Sequence, residues 1–267
     1  MPDYFNHWNL WRFAGPPHQE QKLEPTEYKR FLKRGGLLVR NTYDFDCQEE
    51  TGFWNLIKDQ FEGLEELSSN TRNRVLKSQE NLDFRLIDFS LVESEGYPIL
   101  KATFDDYATT DRPMNRKIFN DYLQHCKSKD YDYWGIFDKK NDQFIGFCAN
   151  HVWNEAAEYG TIGILPEYKH NGTFPYYGLF YTMNKYYLQE KGFRYITDGT
   201  RSITEHSNIQ DFLIEKFNFR KSYCRLAIYY RWWLKLAVKM LYPFRKSLSL
   251  PRVKAILNME AMQRGEK

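Results

Sequence analysis

Apolar and polar positions set the pattern from residue 81 onward. Phe84-Arg85-Leu86-Ile87-Asp88-Phe89-Ser90-Leu91 alternates closely enough to predict a half-buried strand. Helical spacing follows over Tyr97–Tyr107 and Asn115–Lys129, with Pro113 ahead of the second, where a first turn tolerates proline. Tyr131–Asp138, Phe144–Trp153 and Glu158–Leu165 then read as three strands. Polar turns at Lys139-Lys140-Asn141-Asp142 and Asn154-Glu155-Ala156 separate them, which predicts an antiparallel meander. A helix is expected from about Gly178 to Lys191 with Gly192 as its cap, then a strand at Phe193–Thr197. A helix capped by Ser207 or Asn208 and running to Lys216, and a last strand at Ser222–Tyr230, complete this region.

The first 80 residues are less patterned. Residues 1 to 33 read as an irregular lead-in broken by Gly15-Pro16-Pro17. Gly36–Arg40 reads as a short strand, and Phe53–Phe61 and Leu64–Gln79 as helices, the second exposing Arg72, Arg74 and Lys77. The expected division is therefore an N-terminal α/β extension (1–80), a central domain (81–230) and a basic helical tail (231–267).

Composition narrows the class. The chain has 267 residues, 42% hydrophobic, 18% aromatic and 27% charged, enough to build a core without disulfide or metal staples. Cys47, Cys126, Cys148 and Cys224 form no CxxC pair, and the first residues carry no basic and apolar leader. No run of 18 apolar residues occurs, so a cytoplasmic chain without a transmembrane helix is expected. The net charge of +3 conceals an asymmetry: Arg220–Lys267 holds 12 Lys/Arg against Glu260 and Glu266, and the preceding residues are net acidic.

Ile164-Leu165-Pro166-Glu167-Tyr168-Lys169-His170-Asn171-Gly172-Thr173-Phe174 resembles the V-x-P-E-Y-R-x-x-G-x-G/A segment of the GNAT superfamily of N-acyltransferases. Pro166, Glu167, Tyr168 and Gly172 fall in register, Lys169 replaces the usual Arg, and Phe174 replaces the second small residue, with Gly178 as its displaced partner. The element order resembles that family over Asn81–Tyr230. The resemblance implies an α+β GNAT-like fold, with a central mixed, mostly antiparallel sheet flanked by helices. It also implies acyl transfer from acetyl-CoA or another acyl-CoA to an amine by direct attack.

In that family the pyrophosphate of coenzyme A rests on the loop entering the helix, where N–H groups and the macrodipole favour an anion. The implied cofactor-binding residues are Leu165, Lys169, His170, Asn171, Gly172, Thr173 and Gly178, with Asn208 at the later helix. Ser207–Phe219 resembles that later helix, with Asn218 in place of a capping Gly and no tyrosine where the family often carries a general acid. Glu158, opening the strand that ends at Leu165, is the expected general base.

The polar run Asp198–Asn208 follows a strand, where open sheets bind ligands. His206 is a candidate proton relay, Arg201 a candidate holder of an anionic acceptor, and Tyr177 a candidate lining residue. His151 and Cys148 lie mid-strand and read as core, and no His spacing implies a metal, so none is expected. The acceptor class is a small-molecule or sugar amine, and no nucleic acid is expected.

Two other readings stand beside this one. A Fem-type transferase uses aminoacyl-tRNA on a duplicated version of the same fold. Ser68–Lys77 resembles a basic helix of that family, although the chain is short for two copies. A non-catalytic module is the other. In the tail, Arg231, Lys235 and Lys239 recur every four residues on a wide apolar face. Residues 230–246 therefore read either as a peripheral membrane contact or as a helix packed on the body or a partner.

Overall fold

The computed structural model describes residues 4–7, 9–20, 23–106, 115–127, 130–203 and 208–266. In chain order its elements begin with β1 (Tyr4–His7), β2 (Leu10–Phe13), α1 (Pro25–Lys33), β3 (Leu38–Tyr43), β4 (Phe53–Lys58), α2 (Ser69–Asn81) and β5 (Leu82–Ile87). The middle of the chain forms α3 (Phe89–Asp105), α4 (Arg116–Lys127), β6 (Tyr131–Asp138), β7 (Gln143–Val152), β8 (Ala156–Ile164), α5 (Pro166–His170) and α6 (Pro175–Asn184). β9 (Tyr195–Thr200), α7 (Asn208–Phe217), β10 (Arg220–Tyr230), α8 (Trp232–Leu241) and α9 (Pro251–Gln263) complete it. A π-helical turn, Lys185–Glu190, continues α6. The fold is mixed α+β with mostly antiparallel strands.

Two compact units share the chain. One comprises Met1–Leu56, Gly199–Gln210 and Arg220–Lys267, the other Ile57–Asp198 and Asp211–Phe219. Both are discontinuous, so this division differs from the contiguous 1–80, 81–230 and 231–267 of the sequence expectation.

In the first unit, β1 and β2 form a hairpin, β2 pairs parallel with β3, and β3 pairs antiparallel with β10. The irregular lead-in expected for residues 1–33 is thus a hairpin and a helix. Four-residue strands are too short to show a period. Phe31 and Leu32 of α1 pack with Val39 of β3. A second core joins Leu38, Phe53 and Leu226 to Leu234 and Val238 of α8 and Leu257 and Met262 of α9. Phe53–Lys58, expected as a helix, is a strand with all but Trp54 buried. Burial on both faces removes the alternation by which a strand is recognised.

The second unit holds the meander. β5, β6, β7 and β8 pair antiparallel in order, and β9 joins β8 in parallel. The turn after β6 forms where expected: Asp138 Oδ1 accepts the Lys140 N–H at 2.9 Å, and Asp142 takes a left-handed φ of 54°. α3 and α4 bury Val92, Leu100, Phe119 and Leu123 against Phe147 and Ala149 of β7. Asn150, one residue on and so pointing to the opposite face, meets Met183 and Tyr187 of the α6 segment. α2 begins at Ser68, whose Oγ accepts the Thr71 N–H at 3.3 Å. Asn218 caps α7 at φ 56°, as its replacement of a cap glycine implies.

Candidate active site

The meander contains two register shifts, one between β6 and β7 at Ile136/Phe137 and one between β7 and β8, and the second marks the candidate site. β7 and β8 pair from Gly146↔Ile164 to Ala149↔Thr161 and resume at His151↔Glu158. Asn150 therefore faces both Tyr159 and Gly160, a β-bulge in β8. A Cβ on Gly160 would lie 2.2 Å from the Ala149 carbonyl oxygen, so only glycine fits. On the other edge of β8, parallel pairing with β9 covers Ala156↔Tyr195, Ala157↔Ile196 and Glu158↔Thr197, while β8 itself continues to Ile164. The paired stretch ends where the bulge begins. Past Glu158 this edge of β8 is not paired by β9, and at its far end Thr103 Oγ1 holds both the Ile164 N–H at 2.9 Å and the Ile164 carbonyl at 3.0 Å; the stretch between could take an extended polar ligand in strand fashion.

A buried polar network holds the bulge from the α6 side. Asn150 Oδ1 accepts the Gly160 N–H at 3.4 Å, and its amide donates to Met183 Sδ at 3.1 Å and Tyr187 Oη at 3.3 Å. Tyr187 accepts from Trp134 Nε1 at 3.1 Å and donates to Asp132 Oδ2 at 3.0 Å. Tyr159 donates to Asn184 Oδ1, while the buried Asn184 Nδ2 has no hydrogen-bond partner among the described residues. The Cys148 thiol is fully buried in this layer and its pKa is raised by burial, so it is no nucleophile.

Burial also raises the Asp132 carboxyl above its usual range, against the opposing pull of the Tyr187 hydroxyl and Lys191. An acid with a raised folded-state pKa binds more protons folded than unfolded. Its contribution to stability is present at low pH and lost as pH rises from the unfolded value through the folded one. Asp132→Asn is therefore expected to flatten the loss that sets in as pH rises past the ordinary carboxylate range, read as urea midpoints.

The opposite face carries the reactive groups. Tyr131↔His151, His151↔Glu158 and Glu158↔Thr197 are directly paired, so these four residues form one row across β6, β7, β8 and β9. His151 stacks on Tyr131 with ring centroids 5.1 Å apart and lies 4.8 Å from Trp153. Burial raises the Tyr131 phenol, and Cys126 and Glu158 add to it, so it stays a donor. Glu158 is half-buried beside an imidazole at the end of the paired seam. A carboxylate and an imidazole side by side can take a proton from an attacking amine and pass it to a leaving oxygen.

The glycine loop is a different matter. Leu165 caps α5, and Gly172 turns at φ 82°, as expected for a loop needing glycine. Lys169, however, binds Asp106 at 3.1 Å, and His170 is exposed at the end of α5. Asn171 Oδ1 accepts the Thr173 N–H at 3.0 Å, Tyr177 N–H bonds Phe174 O at 3.0 Å, and Pro175 has no N–H. The Lys169 side chain and the Thr173 and Tyr177 amides are thus engaged within the chain. Gly178 does not line the loop: it lies inside α6, where a Cβ would meet Phe84 and Ser78 Oγ at 2.4 Å. Tyr177 is buried, edge-on to Phe212, and accepts from Arg74 Nη1 at 2.7 Å, which makes it an anchor rather than a lining residue.

α2 adds what the motif lacks. The Arg74 guanidinium lies 5.1 Å from the Phe174 ring centroid, and Lys77 Nζ 5.7 Å from it. A Cβ on Gly172 would stand 3.7 Å from Lys77 Nζ. Two cations thus border the loop. In the sequence both read as exposed helix residues, with no signal for the tertiary approach, and His151 reads as core, since only strand register places it opposite Glu158.

Arg201 belongs to the first unit and is committed there, donating to Gly52 O at 2.6 Å while its own N–H bonds Trp54 O. His206 lies outside the described residues. Asn208 opens α7, and only its backbone is described. Among the described residues no cluster of metal-ligating side chains occurs, and no helix is long and apolar enough to cross a membrane.

No protein-family model matches the chain, and no curated protein matches its sequence. Solved structures do. FemX is similar at a TM-score of 0.54 and 9% identity, over 80% of this chain and 78% of that one. The C-terminal domain of a protein assigned as lysylphosphatidylglycerol synthetase from Agrobacterium fabrum is similar at 0.53 and 11%, over 84% and 79%. L-PGS from Bacillus licheniformis is similar at 0.51 and 10%, over 99% and 85%. Several N-acetyltransferases overlap less than half of the chain, at TM-scores too low to argue from. In fold, then, the chain is similar to FemX and the two synthetase structures over most of its length.

Proposed function

We propose that this chain is an aminoacyltransferase that takes its acyl group from aminoacyl-tRNA and delivers it to an amine. The observation that carries this is the open edge of β8 beside Glu158 and His151, bordered by a loop whose cations come from α2. Such a site offers strand-like contacts for an extended aminoacyl-ester end and two cations for nucleic-acid phosphates. Engagement of the Thr173 and Tyr177 amides and of Lys169 within the chain favours this donor over acyl-CoA. The shared fold with FemX and with synthetases of lysylphosphatidylglycerol, an aminoacylated lipid, supports it. Use of a tRNA donor replaces the sequence expectation that no nucleic acid is bound.

In the proposed reaction the acceptor nitrogen attacks the ester carbonyl. Glu158, assisted by His151, takes the proton from that nitrogen. The carbonyl–oxygen bond to the ribose breaks, and the same proton passes to the ribose oxygen.

The donor is tested by filter binding of pooled aminoacyl-tRNA over a salt series. Lys77→Gln is expected to reduce the slope of log affinity against log salt by about one, the signature of one lost phosphate contact. An unchanged slope would remove α2 from the donor site. Lys77 is exposed and makes no hydrogen bond or ion pair among the described residues, so the variant leaves the fold intact.

A further inference from the structure

The helix after β10 is only partly accounted for by packing. Leu234 and Val238 of α8 are buried in the core shared with β10 and α9. A quarter-turn and more away, Trp232 is 76% exposed, Leu236 54% and Met240 68%. These three recur every four residues and so form one stripe along the helix. Trp233 widens it and Phe244, 63% exposed, extends it past the helix end. The wide apolar face read from the sequence is thus two faces, one inside the core and one bare. Isolated exposed apolar residues need no explanation, but a contiguous stripe with two tryptophans does.

Charge identifies what the stripe fits. Lys235 and Lys239 run along its edge, and Lys246 follows Phe244; all three are exposed and form no ion pair among the described residues. No carboxylate occurs between residues 231 and 259. The two acids of the tail are committed elsewhere. Glu260 accepts from Tyr230 at 2.9 Å and from Arg264 at 2.9 Å, and Glu266 accepts from Tyr242 at 2.6 Å and pairs with Arg245. Arg231 is also committed, donating to Leu32 O at 2.7 Å. Self-association through this stripe about a two-fold axis would bring the lysine edge against itself. A surface that is apolar beneath and anionic above meets both features.

We infer that α8 and the turn after it form an interfacial docking face for an anionic phospholipid bilayer. The helix lies along the membrane plane, with Trp232, Leu236, Met240 and Phe244 in the headgroup–acyl boundary and the lysines among the lipid phosphates. Tryptophan favours that boundary because its ring is apolar and its N–H is polar. The buried side of α8 fixes the stripe outward, so no refolding is needed before contact. The inference stands independently of the reaction proposed above.

Co-sedimentation of the full chain with vesicles tests it, comparing phosphatidylcholine alone with phosphatidylcholine–phosphatidylglycerol mixtures. Binding to the mixed vesicles, weakened by salt, is expected. Lys235→Gln with Lys239→Gln lowers it about thirtyfold, at roughly fivefold per cation near an anionic surface. Trp232→Ser with Met240→Ser lowers it about tenfold or more on vesicles of either composition. Leu86→Ser, at an exposed apolar position of the other unit, leaves it unchanged. All the substituted side chains are exposed, and unchanged melting temperatures confirm that the variants fold. Absence of binding to the mixed vesicles would overturn the inference. So would an equal loss in Leu86→Ser, or sedimentation velocity showing a stable dimer that Trp232→Ser dissociates.

Discussion

Replacing Glu158 by Gln is expected to lower the single-turnover rate of aminoacyl transfer by about 10²–10⁴-fold, the range lost with a positioned general base. Gln keeps the size and hydrogen-bonding oxygen of the side chain and removes only its capacity to take a proton. Binding of aminoacyl-tRNA and the melting temperature are therefore expected to stay within error. His151 shares the row, so His151→Asn is expected to lose rate as well, and the double variant to lose less than the product of the two. A Glu158→Gln variant with full rate would show that the proton leaves through water or another group.

Gly160→Ala is expected to cost about 3 kcal/mol, at the upper end for overpacking. The added carbon meets a backbone carbonyl oxygen at 2.2 Å, and no rotamer change can relieve a clash with a strand. The strand must shift, disturbing the Gly160 N–H bond to Asn150 and with it the network through Tyr187 to Asp132. For a chain of this size the melting temperature should fall by about 6–12 °C. The bulge also sets where β8 parts from β9, so residual folded protein should transfer more slowly. A variant as stable as the parent would show that the bulge is not held as described.

The meander and its turns were legible because one hydrophobic face and short polar connections leave a period of two in the sequence. Gly172, Gly192 and Asn218 were legible as well, since a positive φ restricts residue choice locally. Phe53–Lys58 was not, because burial on both faces erased its period. α9 lies in the tail expected to be helical, but its bounds were not legible, because its buried residues, Leu257, Met259, Glu260 and Met262, mix apolar and charged. At the site, Glu158 could be placed near the end of its strand, but a bulge shifts register by one residue without any local signature. That single shift makes Asn150 a clasp and aligns His151 with Glu158. The cations of α2 reach Gly172 across nearly a hundred residues of sequence, which no local pattern encodes. The motif around Gly172 was recognisable, whereas the engagement of its amides by Asn171 and Phe174 depends on side-chain placement.

The central claim is the donor. Its most direct test is competition on one protein sample between labelled aminoacyl-tRNA and acetyl-CoA, with uncharged tRNA as a third ligand. The account predicts that aminoacyl-tRNA binds more tightly than uncharged tRNA and that acetyl-CoA does not displace it. Saturable binding of acetyl-CoA that displaces the aminoacyl-tRNA and is weakened by Gly172→Asp would contradict it, returning the loop to coenzyme A.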